Sequence, residues 1–257
     1  MKDLFNLKGK VAVVTGGNGG IGLGIARGLA SAGADIAIAA RNEAKTAEAV
    51  KGLQNEFGVK AIGVKVDVKE EKQVQDMAKK VLDTFGRIDI LVNNAGTNIR
   101  KLPQEYTVDE WEEVLDVNLR GAFLFSRAVY PAMKAAGGGK IINIGSMTSI
   151  FGAAKVMLYS ASKGGIVQLG RCQANAWARD NIQVNAILPG FINTDLTRKA
   201  RKDMPELEER VNMRTPADRW GEPDDLAGTA VFLASRASDF VTGVALPVDG
   251  GFSVAML

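Results

Sequence analysis

Histidine is absent from all 257 residues, and cysteine occurs once, at Cys172. Without histidine there is no Ser-His-Asp or Cys-His triad, no imidazole general base and no histidine-bound zinc. A single thiolate builds neither a metal cage nor an internal disulfide framework, so no metal site is expected; one cysteine fits a reducing compartment such as the cytoplasm. Tyrosine is scarce too, with Tyr106, Tyr130 and Tyr159 the three. Acid–base chemistry in this chain therefore falls to Tyr, Lys, Asp or Glu. No apolar run approaches the roughly 18–20 residues of a membrane span, and Met1 to Lys10 holds no apolar signal-peptide core, so no membrane partner is expected. The formal net charge of +3 is too small to argue for nucleic acid. Heptads and internal repeats are missing as well.

What is present is a regular alternation. With 46% apolar and 24% charged residues, the chain has an ordinary balance for a large α/β domain. The apolar run Val11 to Val14 shows no polar alternation, as in a strand buried on both faces of a parallel sheet. Further strands are predicted at 35–40, 61–66, 88–92, 140–144, 182–188 and 245–248. Helical stretches fall between them, at 21–32, 42–57, 70–85, 107–136 and 224–234, with a further helix that carries Tyr159 and Lys163 and reaches about Arg179. The spacing predicts one long helix over 107–136, kinked or interrupted near Pro131, and a charged helical segment over 195–214. The expected architecture is α/β: a single doubly wound Rossmann domain over 1–257, with a mostly parallel seven-stranded sheet and helices on both faces. The segment 191–214 is expected to cover a substrate.

The first strand runs into Thr15-Gly16-Gly17-Asn18-Gly19-Gly20-Ile21-Gly22 and then a helix. Glycines let a backbone turn sharply and approach a ligand closely, and the helix N-terminus beyond offers free N–H groups to a pyrophosphate. The tip of the second strand, Ala39-Ala40-Arg41-Asn42, carries no acid. A carboxylate there would hold an adenosine ribose and repel a 2′-phosphate, whereas Arg41 can pair with one. The sequence thus favours NADP(H), with NAD(H) possible. An exposed Arg opening a helix is the plain alternative for Arg41. The fourth strand ends at Asn93-Asn94-Ala95-Gly96, where ligands sit in open parallel sheets, although Asn and Gly also mark simple turns.

Tyr159-Ser160-Ala161-Ser162-Lys163 places a phenol and an ammonium four residues apart, one turn along a helix face. A free Tyr, with a pKa of about 10, is a poor proton shuttle near neutrality, and a fixed cation beside it favours the phenolate. An ordinary exposed Tyr-Lys pair is the alternative when the pentapeptide is taken alone. Moving the phenol about 3 units would take roughly 4 kcal/mol, more than one solvated Lys supplies, so a second positive charge is expected.

Several motifs fall in one order: the glycine turn 15–22, Asn93-Asn94-Ala95-Gly96, Asn118, Ser146, Tyr159/Lys163 and Pro189-Gly190. Together they resemble the short-chain dehydrogenase/reductase family along the whole chain. The resemblance implies that Tyr159 is the general acid–base, that Lys163 lowers its pKa and holds the nicotinamide ribose, that Ser146 hydrogen-bonds the substrate oxygen, and that Asn118 anchors a water leading from Lys163 to solvent. It implies that Gly16, Asn18, Gly20, Ile21 and Gly22 shape the pyrophosphate site. Arg41 and Asn42 fall beside the adenosine, Asp67 and Val68 flank the adenine, and Asn94, Ala95 and Gly96 border the adenosine ribose. Pro189, Gly190, Ile192 and Thr194 lie at the nicotinamide end. It also implies a homotetramer built on the long helices and the last strand.

Three stretches, Thr215 to Gly221, Ala237 to Val241 and Val248 to Gly251, resemble the branch holding gluconate 5-dehydrogenase and 2-deoxygluconate dehydrogenases. Arg100, four residues past Gly96 at a strand's C-terminal end, can clamp a sugar-acid carboxylate bidentately; a surface Arg beside Lys101 is the plain reading. The expected activity is interconversion of a secondary alcohol and a ketone on a sugar or sugar acid. A 3-oxoacyl-thioester reductase is the alternative with the same catalytic set, and a non-catalytic NADPH-binding scaffold or sensor is a remoter one.

Overall fold

The computed structural model describes residues 3–255. Its centre is a sheet of seven strands: β1 (Val11–Thr15), β2 (Asp35–Ala40), β3 (Ala61–Lys65), β4 (Ile90–Asn93), β5 (Gly139–Ile144), β6 (Ile182–Pro189) and β7 (Ala245–Val248). They lie in the order β3-β2-β1-β4-β5-β6-β7. All six pairings are parallel, with registers such as Val13 opposite Ala37 on one side and Leu91 on the other. The expectation of a mostly parallel sheet thus resolves to a wholly parallel one.

Helices α1 (Gly20–Ser31), α2 (Glu43–Phe57) and α9 (Ala227–Ala234) cover one face. Their Ile25, Leu29, Leu53 and Leu233 pack with Ile36, Ile38 and Val92 of the strands. Helices α3 (Glu71–Phe85), α5 (Gly121–Ala135) and α6 (Met157–Trp177) cover the other. There Val74, Met77, Phe125, Val129 and Met133 pack with Val11, Val13, Leu91 and Ile141. Burial on both faces is why β1 shows no polar alternation, while β6 is buried throughout with Gln183 and Asn185 inside it.

Two helical expectations need correction. The stretch 107–136 breaks at 116–120 and not at Pro131. Helix α4 (Val108–Leu115) passes through a π turn at Asp116–Arg120 into α5, and Pro131 lies inside α5. Proline removes one helical hydrogen bond, but the buried Val129 and Met133 on either side of it hold that helix to the sheet. The charged segment 195–214 is two helices, α7 (Asp195–Asp203) and α8 (Leu207–Arg214). Pro205 separates them, and Met204 before it leaves the helical region at φ −141°, ψ 84°. The stretch near 224–234 begins as a tight turn at Pro223–Leu226 before α9.

At the N-terminal end of the sheet, Asp89 is buried and accepts from the Val11 N–H at 3.0 Å, Arg87 Nε at 2.7 Å and Lys10 Nζ at 3.1 Å. The opposite, C-terminal end is where the candidate residues gather.

Candidate active site

Strands β1 and β4 are neighbours whose chain connections leave in opposite directions, so a crevice opens above their C-terminal ends. Thr15 fastens the two together. Its hydroxyl donates to Val92 O at 3.3 Å and accepts from the N–H groups of Asn94 and Ala95, both at 2.9 Å. Asn94 returns the contact, its Nδ2 donating to Thr15 O at 2.9 Å. The turn between β1 and α1 needs its glycines. Gly16 and Gly20 sit at φ +63° and +50°, and a Cβ on Gly22 would stand 2.4 Å from Asn94 Nδ2 and 2.5 Å from Gly16 O. Helix α1 has no side-chain cap and no acid in its first turn. Its leading N–H groups are thus directed at the crevice without competition, the arrangement that suits a phosphate.

One part of the crevice, 240 Å³, is lined by Asn18, Arg41, Asn42, Asp67, Val68 and Ala95 among others. Asn42 caps α2 by accepting from the Lys45 N–H at 3.0 Å. Asn18 donates to Thr46 Oγ1 at 3.0 Å, which pins the glycine turn to α2. Arg41 is exposed, with no ion pair among the described residues. Asp35, the one acid of β2, lies at the far end and accepts from the Lys60 N–H. The wall that would meet an adenosine 2′-oxygen is therefore cationic and polar.

The adjoining part, 340 Å³, brings together Gly16, Gly20, Ile21, Asn94, Gly96, Ser146, Tyr159, Lys163, Pro189, Gly190, Ile192 and Thr194. Its two portions share Gly16, Asn18, Lys45, Ala95 and Gly96 and so form one groove. Ser146 follows β5 in extended backbone, its Oγ accepting from the Thr148 N–H at 3.1 Å. Ser149 ties this loop to α6 by donating to Lys163 O at 2.7 Å. Lys163 is buried, and its Nζ donates to Ile144 O at 2.6 Å, 5.6 Å from the Tyr159 ring centroid. Thr194 caps α7 and touches the glycine turn: a Cβ on Gly20 would meet its methyl at 3.3 Å.

Asn118 is buried in the π turn. Its Nδ2 donates to Thr97 O at 3.0 Å and Ser162 Oγ at 2.9 Å, while Oδ1 accepts from the Thr97 N–H at 2.7 Å. One side chain thus joins the loop after β4, the π turn and the Tyr159 helix. Both N–H donors are spent on protein partners, which makes Asn118 first of all a positioning residue. Gly96 keeps the space between: a Cβ there would lie 3.4 Å from Asn118 Oδ1 and 3.6 Å from Lys163 Nζ.

In the cofactor-free protein the net shift of the Tyr159 pKa is upward. Burial pushes the phenol above its ordinary value, and the Ser146 hydroxyl and the Arg100 charge pull it partly back. Burial also depresses Lys163, to about 8. Its ammonium faces a backbone carbonyl and no carboxylate, so its own charge is disfavoured. Arg100, exposed on the loop past β4, adds a positive charge that favours the phenolate.

Sequence reasoning missed Lys45, which lines both portions of the groove and lies 3.4 Å from Asp195 of α7. It looked like one more charge on a polar helix, and only its approach to Gly19 in three dimensions reveals it. A larger concavity, 830 Å³, lies elsewhere, on the outer edge of β3 between α2 and α3; its Lys51, Lys65, Asp76 and Lys80 rim includes none of the candidate residues. Among the described residues no cluster of three or more His, Cys, Asp or Glu could hold a metal ion.

A family model described as enoyl-(acyl carrier protein) reductase matches residues 16–253. The chain is 42% identical to the 2-dehydro-3-deoxy-D-gluconate 5-dehydrogenase of Formosa agariphila, over 97% of this chain and 94% of that protein. It is 39% identical to the gluconate 5-dehydrogenase of Gluconobacter oxydans, over 99% and 98% respectively. Among solved structures, a gluconate 5-dehydrogenase from Burkholderia cenocepacia in complex with NADP and tartrate superposes with a TM-score of 0.94, at 43% identity over 99% of each chain. With the parallel sheet, the glycine turn at its switch point and the Ser146, Tyr159 and Lys163 set in one groove, these matches place the chain in the short-chain dehydrogenase/reductase family.

Proposed function

We propose that the protein interconverts a secondary alcohol and a ketone on a sugar acid, with NADP(H) as its preferred hydride carrier and NAD(H) a possible substitute. The observation that carries this reading is the convergence of Ser146, Tyr159 and Lys163 at one end of a groove whose other end is lined by Arg41, at a β2 tip that carries no acid. The similarity to curated sugar-acid dehydrogenases over nearly the full chain supports the substrate class.

The groove fits a dinucleotide: glycines leave its floor open, and α1 directs uncapped N–H groups into it. Gly16, Asn18, Gly20, Ile21 and Gly22 would hold the diphosphate, Arg41 and Asn42 a 2′-phosphate, and Asp67, Val68, Asn94, Ala95 and Gly96 the adenosine. Pro189, Gly190, Ile192 and Thr194 would hold the nicotinamide end. When bound, the cofactor supplies or accepts the hydride at the substrate carbon. The chain does the rest. Tyr159 donates its hydroxyl proton to the carbonyl oxygen as that oxygen gains negative charge, and takes it back in oxidation. Ser146 Oγ–H hydrogen-bonds the same oxygen. The buried Lys163 holds a proton near Tyr159 for its reprotonation, and Asn118 fixes the loop and helix that carry this relay. Arg100 offers a guanidinium to the substrate carboxylate. The segment 191–214, built from α7 and α8, covers the substrate.

A homotetramer and a cytoplasmic location complete the reading. Trp111 on α4, Phe123 on α5, and Phe240 and Val244 ahead of β7 expose apolar surface where subunits would meet, and the single cysteine is free. The test is NADPH oxidation over keto-sugar acids, neutral keto-sugars and acetoacetyl thioesters, with Tyr159→Phe as the blank. Turnover of sugar acids is expected; turnover of thioesters with sugar acids ignored would replace this reading with the thioester reductase.

A further inference from the structure

We propose that Arg214 is a specificity-determining residue of the substrate site, binding the carboxylate of a sugar acid from the side of the covering segment. This rests on the sugar-acid reading above. Arg214 is the last residue of α8. Its guanidinium carbon lies 4.5 Å from the Phe252 ring centroid and 5.8 Å from that of Phe151. Its Nε is buried and has no hydrogen-bond partner. Among the described residues no carboxylate lies within ion-pair distance of it, whereas two nearby arginines, Arg201 and Arg219, are paired; Arg210, one turn back on α8, is exposed to solvent. Arg201, against Trp220, pairs with Glu208 and donates to Asn193, and Arg219 pairs with Asp225.

A half-buried cation without an anion is a costly arrangement for a protein to keep. Aromatic rings against a guanidinium satisfy its faces and leave its in-plane N–H edge free, the edge that grips a carboxylate bidentately. The place is equally specific. Phe151 is five residues past Ser146, on the loop leading to Tyr159. Phe252 packs edge-on against Phe191 at 5.2 Å, and Phe191 stands between Gly190 and Ile192, both in the wall of the groove. Arg214 thus stands where the Ser146 loop, the strand-end segment and the covering segment meet. In this assignment Arg100, from the β4 loop, and Arg214, from α8, supply the substrate anion with guanidiniums from two different segments. A neutral keto-sugar would leave Arg214 unpaired, which is a basis for discrimination between otherwise similar polyols.

The experiment compares wild type, Arg214→Met and Arg214→Lys on a keto-sugar acid and a neutral keto-sugar of equal length. Methionine keeps a stem over the two rings and removes the charge; lysine keeps the charge and loses the fork. A second readout, independent of turnover, is the affinity of gluconate for the NADPH-loaded protein, followed by the fluorescence of bound NADPH. Arg214→Met is expected to raise KM for the acid, and the gluconate Kd, by roughly tenfold or more, with KM for the neutral sugar within about twofold; Arg214→Lys restores only part. If Arg214→Met fails to fold, Arg214→Lys decides by the same ratio. Equal changes for acid and neutral sugar, or none, overturn the assignment and leave Arg214 as packing. A wild type that reduces neutral keto-sugars but binds no sugar acid removes the sugar-acid reading and this assignment together.

Discussion

Lys163 offers a direct test of the buried charge at the centre of the site. Its ammonium is held at a pKa of about 8 against an ordinary 10.5, because burial penalises the charged form and Ile144 O is its one hydrogen-bond partner. The folded pKa is the lower one, so the unfolded chain binds more protons between those two values, and stability rises with pH across that window. Below pH 8 the penalty is fully present; above 10.5 it is gone. The gap corresponds to roughly 3 kcal/mol in full, of which about 2.5 kcal/mol is regained between pH 7 and pH 10. Other groups titrate there too, so the measurement is a difference: urea unfolding of cofactor-free wild type and Lys163→Met at several pH values. The wild type should gain about 2.5 kcal/mol on the variant from pH 7 to pH 10. At pH 7 the variant should be no less stable than wild type by more than the lost hydrogen bond, about 1 kcal/mol. A difference that stays flat with pH would show that Lys163 titrates normally in the folded protein, and the electrostatic account of the site would fail.

Three other outcomes follow from named contacts. Tyr159→Phe should lower kcat by at least about a hundredfold while NADPH binding, read by fluorescence titration, changes little; full turnover would refute the assigned proton donor. Arg41→Asp should weaken NADPH binding by roughly tenfold or more and spare NADH, checked by titrating both; NADPH binding unchanged in this variant would return Arg41 to the plain surface reading. Burial raises the Asp89 pKa, but Arg87, the Val11 N–H and Lys10 outweigh it, so the carboxyl titrates below its ordinary 3.8. Its stabilisation is therefore present above that pH and lost as pH falls through the folded value. Asp89→Asn should cost about 3 kcal/mol at pH 7, with the gap to wild type closing in acid.

What the sequence made legible was local. The glycine turn, the acid-free tip of β2 and the asparagines ending β4 are short motifs whose chemistry depends on neighbours a few residues away. The first two strands were readable because burial on both faces leaves continuous apolar runs. The misplacements were all matters of tertiary context. Pro131 and Pro205 are the same residue in two helical stretches, yet only Pro205 separates helices. Val129 and Met133 anchor the first stretch to the core, while α8 buries little beyond Val211. The π turn at 116–120 accompanies the contacts of Asn118 with Thr97 and Ser162, residues 21 and 44 positions away. Lys45 and Arg214 looked like solvated charges, and it took their spatial neighbours to set them apart.

The Tyr159 environment carries a consequence for direction. With its pKa raised, the phenol is protonated at neutral pH, the form that reduction requires. Oxidation requires the phenolate, and the groups disposed toward it are Lys163 one turn along α6, the Ser146 hydroxyl and Arg100 from the β4 loop. Removing Arg100 takes away a positive charge that favours the phenolate, so the pKa must move further up. The kcat/KM for alcohol oxidation should therefore rise with pH, with its inflection at higher pH in Arg100→Ala than in wild type. Carboxylate binding by Arg100 alone predicts something else: a loss of the same factor at every pH, with the inflection in place. Measured on a neutral alcohol, where no carboxylate needs a partner, the pH profile separates the two roles, and an unmoved inflection there would remove Arg100 from the tuning of Tyr159.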